Sequence, residues 1–220
     1  MKDTLVTDGV SPDKVHVIYN WSYQDELYEN LDTKPVSHII SEGDFNVVYA
    51  GNIGSMQNVD ILIEAAKVMA CDEHIKFHII GDGVHKAKLE AKVKDYNLSN
   101  VYFWPLQSPE LAPLIYYSAN VNIIPLVKDI YRTALPSKTA TCLACQKPII
   151  FAIGKNSRFG VWVNKETDCP VVDSDDVDEL VNAIESIKCG KCTPKTDKLF
   201  IEHFRISENS KMYASVITNR

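Results

Sequence analysis

The stretch Y-R-T-A-L-P-S-K-T-A-T-C-L-A-C-Q-K-P-I-I, residues 131–150, connects two apolar, strand-like segments through a short helical one. The first segment is Val121 to Pro125 and the second is Pro148 to Ile153. In a chain that alternates strands and helices, the loop after a strand faces a ligand crevice, and the next helix points its amino end at that crevice. The stretch therefore predicts a parallel α/β fold with a site for an anion.

Four residues of this stretch specify the ligand further. Pro136 suits the first position of the helix, and Ser137 offers a hydroxyl group. Arg132 and Lys138 add positive charge, which favours a phosphate or diphosphate over a neutral ligand. The alternative is an ordinary capped helix with two solvated basic residues.

Outside this stretch, short apolar segments alternate with segments of helical period. Strands are predicted at Val15–Tyr19, Phe45–Ala50, Ile75–Ile80, Val101–Trp104, Val121–Pro125 and Pro148–Ile153, with a short pair at Val171 and Val172. Helices are predicted at Val59–Ala70, Val84–Tyr96, Pro109–Ala119 and Asp176–Cys189, and one or two more in Pro194–Arg220. The segment Ser22–Asp44 has little periodicity and is expected to be a surface excursion. This order predicts an α/β fold, a Rossmann-like doubly wound parallel sheet with helices on both faces.

Composition narrows the class of protein. The 220 residues are 45% hydrophobic, which suffices for one sizeable buried core. The net charge of −6 and the absence of a basic patch argue against nucleic acid as a partner. No apolar run approaches the ~20 residues that span a bilayer, and Met1–Asp13 does not resemble a signal peptide. We expect a soluble cytoplasmic protein.

Two glycine turns follow strands. They are Gly51-Asn52-Ile53-Gly54-Ser55 and Gly81-Asp82-Gly83, and either one can bring backbone N–H groups close to a phosphate or ribose. Each is equally compatible with a tight strand-to-helix corner. Neither matches the dinucleotide pattern G-x-G-x-x-G, so an oxidoreductase is disfavoured.

Metal and hydrolytic sites find little support in the sequence. The pairs Cys142-x-x-Cys145 and Cys189-x-x-Cys192 are too far apart for a zinc ribbon, so buried thiols are expected, with a zinc or redox role open for the second pair. Asp173-Ser174-Asp175 could bind a metal, but helix capping is the simpler role. Nucleophile elbows, zinc-protease motifs and P-loops are absent from the sequence, and His78 within a strand is expected to be packed.

Five blocks together carry a resemblance to a known family. They are V-H-V-I-Y-N-W at 15–21, V-V-Y-A-G-N-I-G at 47–54, F-H-I-I-G-D-G at 77–83, N-V-Y-F at 100–103 and P-S-K-x-x-x-x-L-A-x-x-K-P-I-I at 136–150. In order and spacing they resemble the family-4 retaining glycosyltransferases of the GT-B fold. The branch that builds bacterial O-antigen, capsule or colanic-acid units is most similar.

The resemblance implies that the chain is the carboxyl-terminal, nucleotide-sugar-binding half of such an enzyme. Residues 1–14 would be the remnant of an N-terminal domain and hinge, residues 15–193 the nucleotide-sugar-binding domain, and residues 194–220 the closing helices. The implied activity is that of a retaining, hexosyltransferase-like enzyme, inactive without its N-terminal domain. The implied location is the cytoplasm, at the inner face of the membrane where the acceptor is lipid-linked.

The resemblance also assigns ligands and site residues. The donor would be a UDP-sugar, without a tightly bound cofactor or metal, and the acceptor a sugar or lipid-linked sugar held by the missing domain or a partner chain. Arg132 and Lys138 would be catalytic. The donor would be bound by Gly51, Asn52, Gly54, Gln57, Gly81, Gly83, Pro105, Leu106, Thr133, Pro136, Ser137 and Thr141. Of these, Gly51 to Gly54 would approach the diphosphate, and Pro105 and Leu106 would flank the base.

The sequence departs from the family at two places. Thr133 and Thr141 stand where many members have two glutamates, and Gln57 and Asn58 where many have Lys-Gly. A hydroxyl lacks the charge-assisted hydrogen bond of a carboxylate. The alternative is therefore a noncatalytic or split-enzyme binding module, whose partner would dock on an apolar face near Trp21 and Trp162 unless these residues pack in the core.

Overall fold

A computed structural model describes residues 2–22, 24–40, 42–128, 135–191 and 195–218. Six strands form one sheet in the order β3-β2-β1-β4-β5-β6, and every neighbouring pair is parallel. The strands are β1 (Phe45–Ala50), β2 (Ile75–Ile80), β3 (Val101–Trp104), β4 (Val121–Pro125), β5 (Ile149–Ala152) and β6 (Val171–Val172). The predicted doubly wound α/β sheet is confirmed.

Helices cover both faces of this sheet. The α-helices of the described ranges are α1 (Lys2–Thr7), α2 (Asp60–Val68), α3 (Lys86–Asp95), α4 (Ala112–Ser118), α5 (Thr139–Ala144), α6 (Arg158–Glu166), α7 (Val177–Lys188), α8 (Asp197–His203) and α9 (Ile206–Thr218). Short 3-10 helices lie at Pro12–Lys14, Lys34–Val36 and Pro109–Leu111. In the part of the chain that is described, none of these helices could cross a bilayer, since none combines the needed length and apolarity.

The side chains of each strand contribute alternately to two hydrophobic cores, because successive side chains point to opposite faces of the sheet. Val48 and Ala50 pack with α4, α5, α6 and α8, whereas Val47 and Tyr49 pack with α2, α3 and α7. Both faces of β1 are therefore apolar, which explains why the strand reads as a continuous apolar run.

Three expectations about secondary structure are wrong. Val15–Tyr19 forms no strand, because Tyr19 instead stacks on Trp162 of α6 at 5.1 Å between ring centroids. Ser22–Asp44 is not a mere surface excursion, since Val36 and its neighbours Ile39 and Ile40 are buried in the core. The helix after β4 begins at Thr139, so Pro136 lies in the preceding turn and not at the first helical position.

The two glycine turns pack directly against each other at the carboxyl edge of the sheet. Gly51 N–H donates to the Ile80 carbonyl at 2.9 Å, and Ile53 N–H donates to the Asp82 carbonyl at 2.8 Å. A Cβ atom on Gly81 would lie 1.9 Å from the Gly51 carbonyl oxygen, and the φ of Gly81 is +150°. Only glycine permits this approach, so the turns hold each other in place.

A buried polar chain crosses the outer part of the sheet. The indole Nε1–H of Trp104 donates to His78 Nδ1 at 3.2 Å, and His78 Nε2 lies 3.0 Å from Asn46 Oδ1. Because an indole nitrogen only donates, the His78 proton must be on Nε2, where it is given to Asn46. His78 is packed, as expected, and its burial lowers its pKa to about 4.

Replacing Gly81 by Ala should destabilise the fold far more than the same change at Gly190. Gly190 also has a positive φ, of +67°, but a Cβ atom there would meet nothing within 4 Å. We expect Gly190→Ala to cost about 1 kcal/mol from backbone strain and Gly81→Ala about 4 kcal/mol, since the clash adds to the strain. Urea unfolding measures both, and equal losses would refute the turn-to-turn contact.

His78 should make stability fall on acidification. An unfolded histidine binds its proton near pH 6.5 whereas folded His78 stays neutral down to about pH 4, so the unfolded state binds more protons between these values. From pH 7 to pH 5 the unaltered protein should lose about 2 kcal/mol more of its free energy of unfolding than His78→Gln does. Urea titrations at both pH values test this, and an identical loss in the two proteins would contradict it.

Candidate functional site

The candidate site lies where the strand order reverses. Successive strands run outward from β1 through β2 to β3, and then from β4 on the other side of β1. The crevice at the carboxyl ends of β1 and β4 is the switch point at which doubly wound sheets bind ligands. The first glycine turn follows β1, and the chain that leads into α5 follows β4.

The first glycine turn is held in shape by its own side chains. Gln57 Oε1 accepts from the Gly54 backbone N–H at 3.1 Å and from Asn52 Nδ2 at 3.3 Å. The hydroxyl of buried Tyr49 donates to the Asn52 carbonyl. Asn52 and Gln57 therefore fix the turn, and their expected binding of the donor stays a prediction. In the part of the chain that is described, no hydrogen bond from Gln57 Nε2 is found.

Lys138 reaches this turn from the residue before α5. Its Nζ lies 3.8 Å from the centre of the Tyr49 ring and would be 2.7 Å from a Cβ atom at Gly51. The structure thus brings Lys138 and Gly51 together, as the predicted anion site requires. Tyr49 was not foreseen, because its place within a buried strand gives no sign of a ligand.

The Lys138 ammonium is short of a counter-ion. None of the ion pairs found between the described residues involves Lys138. Its enclosure lowers its pKa to about 8, because burial disfavours the charged form. The face of the Tyr49 ring supplies a cation–π contact but no charge. An anion at Gly51 would restore the full positive charge of this side chain.

The other residues expected around α5 are only partly placed. Ser137 is exposed and Thr141 is half-buried. The Pro136 carbonyl accepts from the Thr139 N–H at 3.0 Å, which closes the turn before the helix. Because α5 has only six residues, the partial positive charge at its amino end is small. Most of the positive charge at this point therefore comes from Lys138. Arg132 and Thr133 lie outside the described residues.

The residues expected at the base lie beside the second glycine turn. Pro105 and Leu106 follow β3, and Leu106 is 67% exposed. Lys86 Nζ donates to the Gly81 carbonyl at 3.0 Å and to the Trp104 carbonyl at 3.3 Å, which ties the ends of β2 and β3 together. A Cβ atom on Gly83 would lie 2.4 Å from the Ile53 carbonyl oxygen, so packing explains Gly83 as it explains Gly81. Contact of either glycine with a nucleotide stays a prediction.

The structure gives no support to a metal site in the residues it describes, where no group of three His, Cys, Asp or Glu side chains could hold an ion. Cys142 and Cys145 are buried free thiols, as expected, and burial raises the pKa of Cys142 to about 12. Cys189 is exposed, and Cys192 lies outside the described residues.

The acidic triplet after β6 has ordinary structural contacts. Asp173 accepts from the Lys155 backbone N–H at 2.9 Å, and Asp175 pairs with Lys128 at 2.9 Å. The residue that caps α7 is the next one, Asp176, which accepts from the Glu179 N–H at 2.9 Å. Capping was therefore expected one residue too early in the chain.

Solved structures share this fold at low sequence identity. HepE from Anabaena, solved in complex with UDP and glucose, matches with a TM-score of 0.78 and 16% identity over 100% of this chain and 61% of HepE. Sucrose-phosphate synthase from Thermosynechococcus elongatus matches with a TM-score of 0.75 and 19% identity over 100% of this chain and 57% of the synthase.

Sequence comparison finds a family and a curated relative. The relative is the putative colanic acid biosynthesis glycosyl transferase WcaI of Escherichia coli, 29% identical over 148 residues, which are 66% of this chain and 36% of WcaI. The chain thus spans only part of the length of its relatives. The family model described as glycosyl transferases group 1 matches residues 44–188. Because that match covers more than half of the sequence, the chain belongs to the group 1 glycosyl transferases and has the Rossmann-like fold of a GT-B domain.

Proposed function

We propose that this chain is the donor-binding domain of a retaining glycosyltransferase that uses a UDP-sugar to build a bacterial surface polysaccharide. The observation that carries the proposal is the Lys138 ammonium, which is enclosed, lacks a carboxylate partner among the described residues, and touches the Gly51 turn at the switch point of the sheet. Such a cation matches the diphosphate of a nucleotide sugar.

The same charge suits the chemistry of transfer. When the sugar leaves its donor, negative charge grows on the nucleoside diphosphate. A fixed cation in a site with little water stabilises that charge strongly, because little reorganisation is needed. We assign this role to Lys138, with Arg132 as a second cation.

The remaining donor contacts follow from the positions of the turns. Gly51, Asn52 and Gly54 would bind the diphosphate through the backbone of the first turn. Gln57 would donate its free Nε2 amide where many family members have a lysine. This exchange removes one charge from the turn, which makes the donor site depend more on Lys138.

The nucleotide and the sugar are assigned to either side of the diphosphate. Gly81 and Gly83, with Pro105 and Leu106, would line the nucleoside side. Thr133, Pro136, Ser137 and Thr141 would meet the ribose and the donor sugar. That HepE was solved with UDP and glucose, and that WcaI is named for colanic acid biosynthesis, supports UDP and a polysaccharide product.

A second domain is proposed to hold the acceptor. Apolar side chains stand exposed on α1 and α9, among them Leu5 at 45%, Tyr213 at 46% and Ile217 at 67%. None of the residues of α1 is buried, so these helices gain little from the sheet. We propose that the acceptor domain, in a longer chain or a partner, covers the exposed faces of both helices, with residues 1–14 as the hinge.

The two tryptophans expected near such a face have mixed surroundings. Trp162 packs at the edge of a core, against Tyr19 and 6.2 Å from Phe204, as the alternative of core packing predicts. Trp21 contacts Tyr213 of α9 at 5.7 Å and so borders the proposed face.

The alternative function is a noncatalytic or split-enzyme binding module. Thr141 is half-buried at the site but carries no carboxylate, so a bond to ribose would lack charge assistance. Such a module would keep the diphosphate contact through Lys138 and lose turnover.

Lys138→Met should weaken UDP binding and remove its pH dependence. In the unaltered protein the bound diphosphate should keep Lys138 protonated, so affinity should fall about tenfold from pH 7 to pH 9 as the free lysine loses its proton. The phosphates of UDP, with a second pKa near 6, do not titrate in this range. Isothermal titration calorimetry at several pH values measures both effects.

Lys155→Met is the matched control for this experiment, since Lys155 is an exposed lysine paired with Glu179. Its UDP affinity and pH profile should equal those of the unaltered protein. An unchanged profile in Lys138→Met would refute the assigned diphosphate site. Tighter binding of GDP or ADP than of UDP would refute the choice of nucleotide.

Transfer should require the acceptor domain and proceed with retention. With a UDP-sugar and acceptor, this chain alone should bind the donor without turnover, and the complete enzyme should give a product with the donor's anomeric configuration, in the presence or absence of EDTA. Proton NMR of the product reads the configuration. Inversion, or strict loss of activity with EDTA, would contradict the mechanism, and no turnover by the complete enzyme would favour the binding module.

A further inference from the structure

Asn58 closes the first glycine turn in an unusual backbone conformation. Its φ is +43°, in the left-handed region that asparagine tolerates better than most residues. It stands directly before the first turn of α2, where its carbonyl accepts from the Ile61 N–H at 3.3 Å. Its side chain does not cap α2 and points elsewhere.

The Asn58 amide bonds to a distant loop. Its Nδ2 group donates to the backbone carbonyl of Ser174, which follows β6 and is 1% exposed. β1 and β6 are not neighbours, because β4 and β5 lie between them in the sheet. This bond therefore joins loops that no strand pairing holds together.

A second bond anchors the same part of the turn. The Val127 N–H, after β4, donates to the Met56 carbonyl at 3.1 Å. The amino end of the turn is fixed to β2 at Gly51 and to the second glycine turn at Ile53, whereas its carboxyl end depends on Met56 and Asn58. The Gln57 side chain, which shapes the turn from inside, lies between these two anchors.

We propose that Asn58 is a positioning residue for the donor diphosphate, acting through its amide clamp on Ser174. The inference rests on the proposed function, and it assigns to Asn58 two separable contributions. The left-handed backbone allows the chain to turn into α2, and the amide holds Gln57 and Gly54 at a fixed distance from Lys138. Loss of the amide leaves Met56 as the remaining anchor at the carboxyl end of the turn, so this end can move relative to the cation and the diphosphate must order it on binding.

Asn58→Gly separates the two contributions, because glycine accepts the positive φ but has no amide. We expect UDP to bind this variant about tenfold more weakly in calorimetry at pH 7.5, with a small decrease in the thermal midpoint of the unliganded protein. Asn58→Asp keeps the size of the side chain but turns an oxygen toward the Ser174 carbonyl. It should bind UDP more weakly than Asn58→Gly.

Asn97→Gly is the matched control. Asn97 is an exposed asparagine with a φ of +52°, placed after α3. Its replacement should leave the dissociation constant of UDP unchanged. Calorimetry is done well below the thermal midpoint of each variant, so that a merely structural role of Asn58 would lower the midpoint without changing affinity.

The outcomes separate this inference from the function on which it rests. Equal UDP affinity of Asn58→Gly, Asn97→Gly and the unaltered protein would overturn the role of Asn58 and leave the donor site standing. Failure of the unaltered protein to bind UDP would overturn the proposed function and this role with it. A selective loss in Asn58→Gly and Asn58→Asp is the result that the proposal requires.

Discussion

The contact between Gly81 and the carbonyl group of Gly51 determines the shape of the crevice. A single methyl group at Gly81 would come within 1.9 Å of that oxygen, so the two turns can meet only because a side chain is lacking there. Their contact fixes the end of β1 against the end of β2, and it sets the backbone of Gly51 beneath the Lys138 ammonium. The diphosphate site proposed above thus depends on a packing contact as much as on charge.

Lys138 differs electrostatically from other lysines of the fold. Lys92 pairs with Asp60 and Glu64, Lys188 pairs with Asp72, and in both the carboxylate partners raise the lysine pKa. Among the described residues, the Lys138 ammonium has an aromatic ring and no carboxylate as its neighbour, and burial lowers its pKa. Burial of a cation without such a partner is unfavourable, and binding of an anion would relieve this cost.

The sheet could be predicted from the sequence, but the contacts between loops could not. Strands β1 to β4 were predicted to the residue because each is an apolar run with glycine, proline or polar residues at its ends. Val15–Tyr19 has the same pattern but forms no strand, since none of its residues is buried and Tyr19 packs on Trp162 of α6. The pattern alone does not show whether an apolar run enters the sheet. The helix α6 was not predicted, because its apolar residues Phe159, Trp162 and Val163 are few and its exposed face includes Val161.

The candidate site was predictable to a similar extent. Glycines after strands and a lysine at the expected start of a helix indicated Gly51 and Lys138 as parts of an anion site. Tyr49 and the clamp from Asn58 to Ser174 were not foreseen, because both depend on which distant segments of the chain meet in space. Positions 133 and 141, where threonines replace the glutamates of many family members, remain the main reason to test turnover separately from binding.

A crystal structure of the chain with UDP would show directly whether Lys138 binds the diphosphate. We expect an oxygen of the diphosphate within about 3 Å of Lys138 Nζ, with the phosphates against the turn from Gly51 to Gly54 and the uracil beside Pro105 and Leu106. UDP bound elsewhere on the sheet, or a diphosphate that leaves Lys138 without a contact, would contradict it.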